Sequence, residues 1–187
     1  MILPASFYAR PTLLVAEELL GQYLVYESPQ GKLVGEINEV ESYIGSDDLA
    51  SHGARGLDQR NRIMFGPAGF AYIYFIYGMY YCLNVVTQEE HFPSAILIRS
   101  IIPILGTDIM LSNRSLGKST KTTSPKQLTN GPGKVCQAYG LTTKHDGMPL
   151  TCPPLYIEST DKKITTFQRS SRIGISKAQE HLWRFHY

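Results

Sequence analysis

Residues 70–87, FAYIYFIYGMYYCLNVVT, are rich in aromatic and β-branched side chains, and one glycine, Gly78, interrupts them. Such side chains favour strands, and a glycine inside a strand pattern marks a turn or a bulge. The segment therefore predicts two strands joined at Tyr77–Gly78. Because side chains alternate along a strand, Tyr72 and Tyr74 are expected on one face of the first strand.

Further segments predict more strands. Residues 22–28 and 32–44 are β-rich and are separated by the turn sequence SPQGK, so they predict a hairpin whose second strand carries several glutamates. Residues 94–105, SAILIRSIIPIL, predict another strand, which we expect Pro103 to end. Short strands and connectors are predicted in residues 151–160, 169–176 and 181–187.

Helices are fewer. Apolar residues at helical spacing follow Pro11 and stop before Gly21, which predicts an opening helix. Residues 106–115, GTDIMLSNRS, predict a helix start, and NGPGKVCQAYGLT predicts a tight turn that leads into a short helix. Because strands outnumber helices and do not alternate with them, the sequence predicts an α+β fold. With 187 residues, against about 150 per domain, we expect a single domain.

The cysteine pattern indicates that neither disulfides nor a structural metal ion stabilises the fold. Its three cysteines, Cys82, Cys136 and Cys152, are odd in number and widely spaced, which argues against a disulfide framework and a structural zinc site. No run of 18 apolar residues occurs, and MILPASFYARP is too short and polar for a signal peptide. We therefore expect a reduced cytoplasmic protein with no membrane association.

Charge is unevenly distributed although the net charge is only +2. Residues 1–58 carry three basic and nine acidic side chains, whereas residues 59–187 carry fifteen basic and seven acidic ones. A basic half suits a surface that faces phosphates. Residues 112–127 predict a flexible loop. Its lysines fit a phosphate-facing surface and a solvated loop that aids solubility equally well.

Two features predict chemistry. Residues 45–69 form a long polar segment that contains His52 and Arg60, and loops of this length in compact domains are usually functional. Glu41, near the end of a predicted strand, is the best candidate for a general base. The acidic side chains that compete for this role, or that form ordinary surface and ion-pair contacts, are Glu36, Glu39, Asp47 and Asp48.

The tyrosines have two interpretations. Five of the twelve lie between residues 72 and 81, where a strand stripe is most often core. Beside a polar loop and a basic half-chain, the same rings suit stacking on nucleic-acid bases. The motifs of metalloproteases, nucleobase deaminases, P-loop NTPases and Rossmann enzymes are absent from the sequence. GPGK at 131–134 is either a phosphate-binding helix start or a simple turn.

Five ordered blocks carry a resemblance to a known family: EVESYIGSDDLASH, RGLDQRNRIMFGPAG, YIYFIYGMYYCLNVVT, ILIRSIIP and NGPGKVCQA. In these blocks the chain resembles the short bacterial-type alkyladenine (3-methyladenine) DNA glycosylases, and the resemblance runs from about Tyr8 to the closing RIGIS and LWRF. It implies one compact domain with a curved antiparallel sheet flanked by helices.

The resemblance also implies roles for individual residues. Glu41 matches the catalytic glutamate and Arg99 the arginine that helps to hold the attacking water, with Leu97 packing nearby. Tyr77 matches the tyrosine that intercalates into DNA. The residues that match the base pocket are Tyr43, His52, Tyr74 and Asn84. INEVESY departs from the commoner E-T-E-A-Y pattern, so that Ser42 replaces alanine beside the catalytic strand, which affects the expected substrate range.

The resemblance implies a monofunctional glycosylase that excises alkylated purines, namely 3-methyladenine and 7-methylguanine, with hypoxanthine or ethenoadenine as further candidate substrates. We expect a monomer that acts on double-stranded DNA containing damaged purines and uses no cofactor or metal. Lys134 is the lysine to test against the absence of lyase activity. Two alternatives stay open: a non-catalytic module that binds damaged DNA, and a small-molecule hydrolase or isomerase that uses Glu41 and His52.

Overall fold

The computed structural model of the chain describes residues 1–115 and 127–187. Its strands are β1 (Tyr23–Ser28), β2 (Gly31–Ile44), β3 (Ala71–Ile76), β4 (Tyr80–Val86), β5 (Ser94–Leu105), β6 (Thr151–Cys152), β7 (Leu155–Glu158), β8 (Gln168–Ser170) and β9 (Arg184–His186). Its helices are α1 (Ala5–Tyr8), α2 (Thr12–Leu19), α3 (Thr107–Ser115) and α4 (Pro132–Tyr139). Most predicted elements are confirmed, including the hairpin around Tyr77–Gly78.

The described strands form one antiparallel sheet in the order β3-β4-β5-β2-β1-β7-β6. β9 pairs with β2 over Glu39–Glu41 and with β8, so β2 is bordered by β1 along its first half and by β9 along its second. The sheet curls into a half-barrel within a single compact domain, which confirms the predicted α+β class. β2 is therefore the strand to which most of the sheet is attached.

The helices cover one face of this sheet. Leu83 and Val85 of β4 belong to the same buried apolar cluster as Val135 of α4 and Val15 of α2. The intervening residues of β4 point to the opposite face. Pro11 precedes α2, as predicted, and Gly140 ends α4 with a positive φ of 68°. The sheet thus has a core face under helices and a second face that is free to carry polar side chains.

One expectation from the sequence is wrong, and one lies largely outside the described residues. β5 continues past Pro103 to Leu105, and Pro103 pairs with Gly35 of β2 beside a register shift. Proline is tolerated there because β4 pairs with β5 only as far as Leu97, so that one edge of β5 is unpaired in the described structure. In the predicted loop 112–127, residues 112–115 end helix α3, and residues 116–126 lie outside the described residues.

An ion pair closes the second face of the sheet. The carboxylate of Asp48, which follows β2, accepts hydrogen bonds from Nη1 and Nη2 of Arg172 at 2.5 and 2.8 Å. Both side chains are fully buried, and Arg172 also donates to the Ser42 carbonyl at 2.9 Å. The pair therefore fastens the segment after β8 to the loop after β2. Within the described residues, no helix is long and apolar enough to span a membrane.

Asp48→Ala is expected to lower the free energy of unfolding by about 3–5 kcal/mol, because it leaves the Arg172 guanidinium buried without a counter-charge. The matched control is Glu18→Ala, which removes the partner of Arg10 in a half-exposed pair and should cost less than about 1 kcal/mol. Urea unfolding measures both variants. Equal midpoints for the two would contradict the structural role of the buried pair.

Candidate active site

One row of cross-strand partners crosses the second face of the sheet. Direct partners in a sheet place their side chains on the same face. The row runs through six strands by way of Tyr72, Asn84, Leu97, Glu41, Arg184 and Ser170. The register therefore brings residues that are far apart in sequence onto a common surface, among them Asn84, Leu97 and Glu41, which the sequence analysis singled out.

A cavity of about 200 Å³ lies on this surface. The sheet forms its floor, while the loop after β2 and residues 173–175 form its walls. Its lining includes most of the predicted site residues, namely Tyr43, His52, Tyr74, Tyr77, Asn84, Leu97 and Arg99. The structure thus brings together side chains that were expected to share one pocket, although their roles remain predictions.

Aromatic rings form one wall. His52 lies in a short 3₁₀ turn, His52–Arg55, in which the Ser51 hydroxyl accepts a hydrogen bond from the Gly53 amide at 3.0 Å. Its Nδ1 is 2.7 Å from the Tyr72 hydroxyl, and its ring centroid is 4.6 Å from that of Tyr74. The Arg60 guanidinium lies 5.6 Å from the Tyr74 ring on the outer side. These contacts fix the Tyr74 ring at the wall of the cavity.

Burial keeps this wall uncharged. It lowers the pKa of His52, and the charges of Arg60 and Arg55 lower it further, so the imidazole is neutral at pH 7. Burial also raises the pKa of Tyr74 well above its ordinary value, so the phenol keeps its proton. The rings of His52 and Tyr74 therefore carry no charge of their own, and the cation that lies near the Tyr74 ring is the Arg60 guanidinium.

Glu41 lies directly behind the cavity surface. Its side chain is fully buried. Oε2 accepts the Tyr43 hydroxyl at 2.8 Å, whereas Oε1 accepts the Ile173 amide at 2.7 Å and lies 3.3 Å from Nη1 of Arg99. Burial and the charge of Glu41 raise the pKa of Tyr43, so its hydroxyl stays a donor. The carboxylate is thus held by groups that themselves line the cavity.

Asn84 has a defined orientation. Its Nδ2 donates to the Tyr72 carbonyl at 3.0 Å and to the Cys82 carbonyl at 3.4 Å. With both N–H directions used, Oδ1 is the polar atom left for a bound molecule. The side chain is buried and lies next to Leu97 in the row, so it forms part of the cavity floor. The hydrogen bonds that Asn84 makes to the strands are therefore compatible with its predicted role at the floor of the base pocket.

Tyr77 occupies the tip of the β3–β4 hairpin at the cavity mouth. Tyr77 and Gly78 both have positive φ, 55° and 67°, and the Met79 amide bonds the Ile76 carbonyl at 3.3 Å, as in a type I′ turn. Tyr77 is 74% exposed. A bulky side chain rarely adopts positive φ, so this residue is placed at a conformational cost and is not used by the core.

The carboxylates that competed with Glu41 have other partners. Glu36 accepts Lys162 Nζ at 2.5 Å and the Tyr187 hydroxyl. Asp48 forms the buried pair with Arg172, and Asp47 is exposed. Glu39 accepts Nε of Arg99 and Nε of Arg184 through one oxygen. Among these carboxylates, Glu41 is the one whose partners Tyr43, Ile173 and Arg99 all line the cavity.

Sequence reasoning missed Arg172 and Arg184. The Arg172 guanidinium lies 4.6 Å from the Tyr43 ring centroid and 5.1 Å from that of Trp183, so it fixes a pocket wall. It belongs to the closing RIGIS block of the family resemblance, which was the available signal. Its partner Asp48 lies 124 residues away, a separation that local pattern does not connect.

The structure also shows where the other predicted residues lie, but it does not test their roles. Lys134 Nζ donates to Asn130 Oδ1 at 2.7 Å, and Pro132 of GPGK lines the cavity where α4 begins. In the described part of the chain, no group of three or more His, Cys, Asp or Glu side chains is arranged to hold a metal ion. The Ser42 side chain is buried on the face opposite Glu41.

Comparison with known proteins identifies the family of the chain. The family model described as "Methylpurine-DNA glycosylase (MPG)" matches residues 6–187. A protein of Ehrlichia chaffeensis is 44% identical over 98% of this chain and 92% of its own length. Proteins of Methanocella arvoryzae and of a Wolbachia of Brugia malayi are each 43% identical, over 99% and 98% of this chain and 92% and 96% of their own lengths. All three bear the name "Putative 3-methyladenine DNA glycosylase".

Proposed function

Because this chain belongs to the methylpurine-DNA glycosylase family, we propose that it is a monofunctional DNA glycosylase that excises alkylated purines from double-stranded DNA in base excision repair. One observation carries the proposal. A cavity walled by His52, Tyr43 and Tyr74 has a buried carboxylate behind it and an exposed tyrosine at its mouth. Its volume of about 200 Å³ suits one planar base, because drug-sized ligands need about 300–1,000 Å³.

The first step is extrusion of the damaged nucleotide. An N-glycosidic bond inside a duplex is reached only when the base leaves the stack, which costs a few kcal/mol. A wedge that enters the duplex compensates for the lost stacking. Tyr77 is exposed at a hairpin tip beside the cavity, so it supplies the wedge while the base enters between Tyr43 and Tyr74.

The second step is hydrolysis. A water molecule, oriented by Arg99 and Glu41, attacks C1′ of the sugar, and Glu41 takes the water's proton. The new C1′–O bond replaces the C1′–N bond of the base, whose electron pair leaves with the purine. Positive charge that develops on the sugar is stabilised by the Glu41 carboxylate. The products are an abasic site and a free base.

The proposed substrates are 3-methyladenine and 7-methylguanine, with hypoxanthine and ethenoadenine as neutral candidates. Alkylation at N3 or N7 makes the purine cationic, and a cation over a tyrosine face gains about 0.5–2 kcal/mol. The same charge makes the base a better leaving group. The neutral state of His52, which follows from its lowered pKa, avoids repulsion of such a base.

The remaining expectations belong to the proposal. Lys134 is held by Asn130 and not by the cavity, so we expect no lyase step through an amine. We also expect the protein to act as a monomer in the cytoplasm, on the nucleoid of a bacterium. The basic C-terminal half would face the phosphates, and binding should then weaken steeply as salt is raised.

The test is incubation with duplexes that carry 3-methyladenine, 7-methylguanine, hypoxanthine or 1,N6-ethenoadenine, followed by alkaline cleavage of abasic sites. Strand cleavage that requires the alkaline step is expected for at least one lesion. If folded protein cleaves none of the four but binds them with steep salt dependence, the non-catalytic module is correct. Absence of both cleavage and salt-dependent binding would favour a small-molecule enzyme.

Glu41→Gln is expected to slow single-turnover excision by about 100-fold or more, since an amide does not accept the water's proton. The affinity for lesion DNA should change little because the stacking rings are intact. Gel-shift titration and single-turnover kinetics measure the two quantities separately. An excision rate within about threefold of wild type would exclude Glu41 as the base.

Tyr77→Ala and Tyr74→Ala separate the wedge from the pocket. Tyr77→Ala should lose affinity and excision by about tenfold on a paired lesion and recover in part when the lesion lies in a mismatch or bulge, where unstacking costs less. Tyr74→Ala should show no such recovery, and Tyr74→Phe should be mild because the ring is retained. Excision rates on paired and bulged lesions check these expectations.

Thermal melts of the two alanine variants provide the control. A core role for both rings predicts stability losses of about 3–5 kcal/mol for each variant. If both melt far below wild type and neither responds to lesion pairing, the wedge assignment is wrong.

Asn84→Ser is expected to raise excision of guanine-derived lesions relative to hypoxanthine, by about tenfold. The shorter side chain removes an obstruction to the 2-amino group that guanine carries. Asn113→Ser is the control, because Asn113 Nδ2 also donates to a buried backbone carbonyl, that of Ala138 at 2.9 Å, away from the cavity. Competition assays with both lesions give the ratio, and an unchanged ratio in Asn84→Ser would contradict the floor role.

A further inference from the structure

Arg99 stands out of the regular ladder between β2 and β5. Ile37 pairs with Ile101, but Glu39 then pairs with Ser100 and Val40 with Ile98. Two bulges account for these shifts, with Asn38 as the extra residue on β2 and Arg99 as the extra residue on β5. A bulged residue has no direct partner, and bulges commonly redirect a side chain. The double bulge therefore allows Arg99 to lean across β2.

Glu39 receives the redirected arginine. Its Oε1 accepts Arg99 Nε at 2.9 Å and, from the other neighbouring strand, Arg184 Nε at 2.7 Å. Burial acts to raise the pKa of Glu39, but the hydrogen bonds and charges of the two arginines outweigh it and the pKa is lowered. Glu39 is therefore a charged acceptor at a fixed point between β5 and β9.

The guanidinium is planar and rigid, so holding Nε also fixes the direction of its other N–H groups. With Nε on Glu39, Nη1 comes within 3.3 Å of Glu41 Oε1, and the side chain still borders the cavity. One arginine thus connects two carboxylates of the same strand, of which only the second has a catalytic role in the proposed function.

We propose that Glu39 is a positioning residue, which aims the Arg99 guanidinium at Glu41 and at the cavity and so sets the rate of the hydrolytic step. This inference rests on the proposed function. The competing interpretation is that Glu39 only joins β5, β2 and β9 by ion pairs. That interpretation predicts an effect on stability, whereas positioning predicts an effect on the rate of excision at unchanged DNA affinity.

The test compares Glu39→Gln with Glu36→Gln. Glu36 is a matched control because it lies on the same strand, its side chain is 12% exposed against 17% for Glu39, and it pairs with Lys162 at 2.5 Å rather than with Arg99. Glu39→Gln should slow single-turnover excision by about tenfold, as small misplacement of a reacting group does, with lesion-DNA affinity within twofold of wild type. Glu36→Gln should leave both quantities unchanged.

A double-mutant cycle locates the effect. If Glu39 acts through Arg99, adding Glu39→Gln to Arg99→Met should change the rate by less than twofold. A tenfold loss that persists without Arg99, or an E39Q rate equal to that of E36Q, would overturn the inference. Thermal melts ensure that each variant is folded at the assay temperature.

Arg99→Lys keeps the inference testable if Glu39→Gln fails to fold. An ammonium keeps the charge but lacks the rigid fork that reaches both carboxylates, so a loss of about tenfold or more is expected. Excision at the wild-type rate by Arg99→Lys would show that the link through Arg99 between Glu39 and Glu41 is not needed, which would overturn the inference. Failure of wild-type protein to excise any lesion would instead overturn the proposed function, and this inference with it.

Discussion

The buried pair of Asp48 and Arg172 is the interaction on which the candidate active site depends. The face of a sheet is open to solvent, whatever side chains it carries. A cavity on it needs walls formed by other segments of the chain. Here the walls come from two segments outside the strands, the loop that carries His52 and the segment that begins at Ile173. The ion pair joins those two segments and places a guanidinium against the Tyr43 ring. Because its partners lie 124 residues apart, the two walls of the cavity come from distant parts of the chain.

The same principle of compensated charge governs the cavity itself. Glu39 and Glu41 pair with Arg99, and Glu39 also pairs with Arg184, so that two carboxylates and two guanidinium groups lie together beside the cavity, which Arg99 lines. Buried charges are costly unless they are paired and hydrogen-bonded. Pairing lets the site keep a carboxylate behind aromatic walls whose own groups are neutral, since the pKa of His52 is lowered and the pKa of Tyr74 is raised. A site of this type separates the reacting carboxylate from the ring surface that receives the base.

How far the sequence predicts this arrangement varies with the range of the interaction. Local pattern was sufficient for the hairpin at Tyr77–Gly78, where alternation and one glycine define both strands and the turn. It was insufficient at Pro103, because a proline reads as the end of a strand unless the neighbouring edge is known to be unpaired. The row that links Asn84 to Glu41 depends on the pairing of strands and on two bulges, and neither has a local signal. The family resemblance provided those residues, while the partners of Arg172 and Glu39 came from the structure.

The hairpin tip carries a further argument about Tyr77. A type I′ turn needs positive φ at both central positions, and Asn or Gly meets that need at least cost. Tyrosine in this conformation costs of order 1–3 kcal/mol. The turn therefore gives no reason for a tyrosine, and neither does the core, since the ring is 74% exposed. Gly78 meets the requirement for positive φ at the second central position, but the first is left to Tyr77. Tyr77 is thus a large aromatic residue in a backbone conformation that disfavours it, and its ring lies at the mouth of a cavity. A ligand that approaches from outside best explains its presence there.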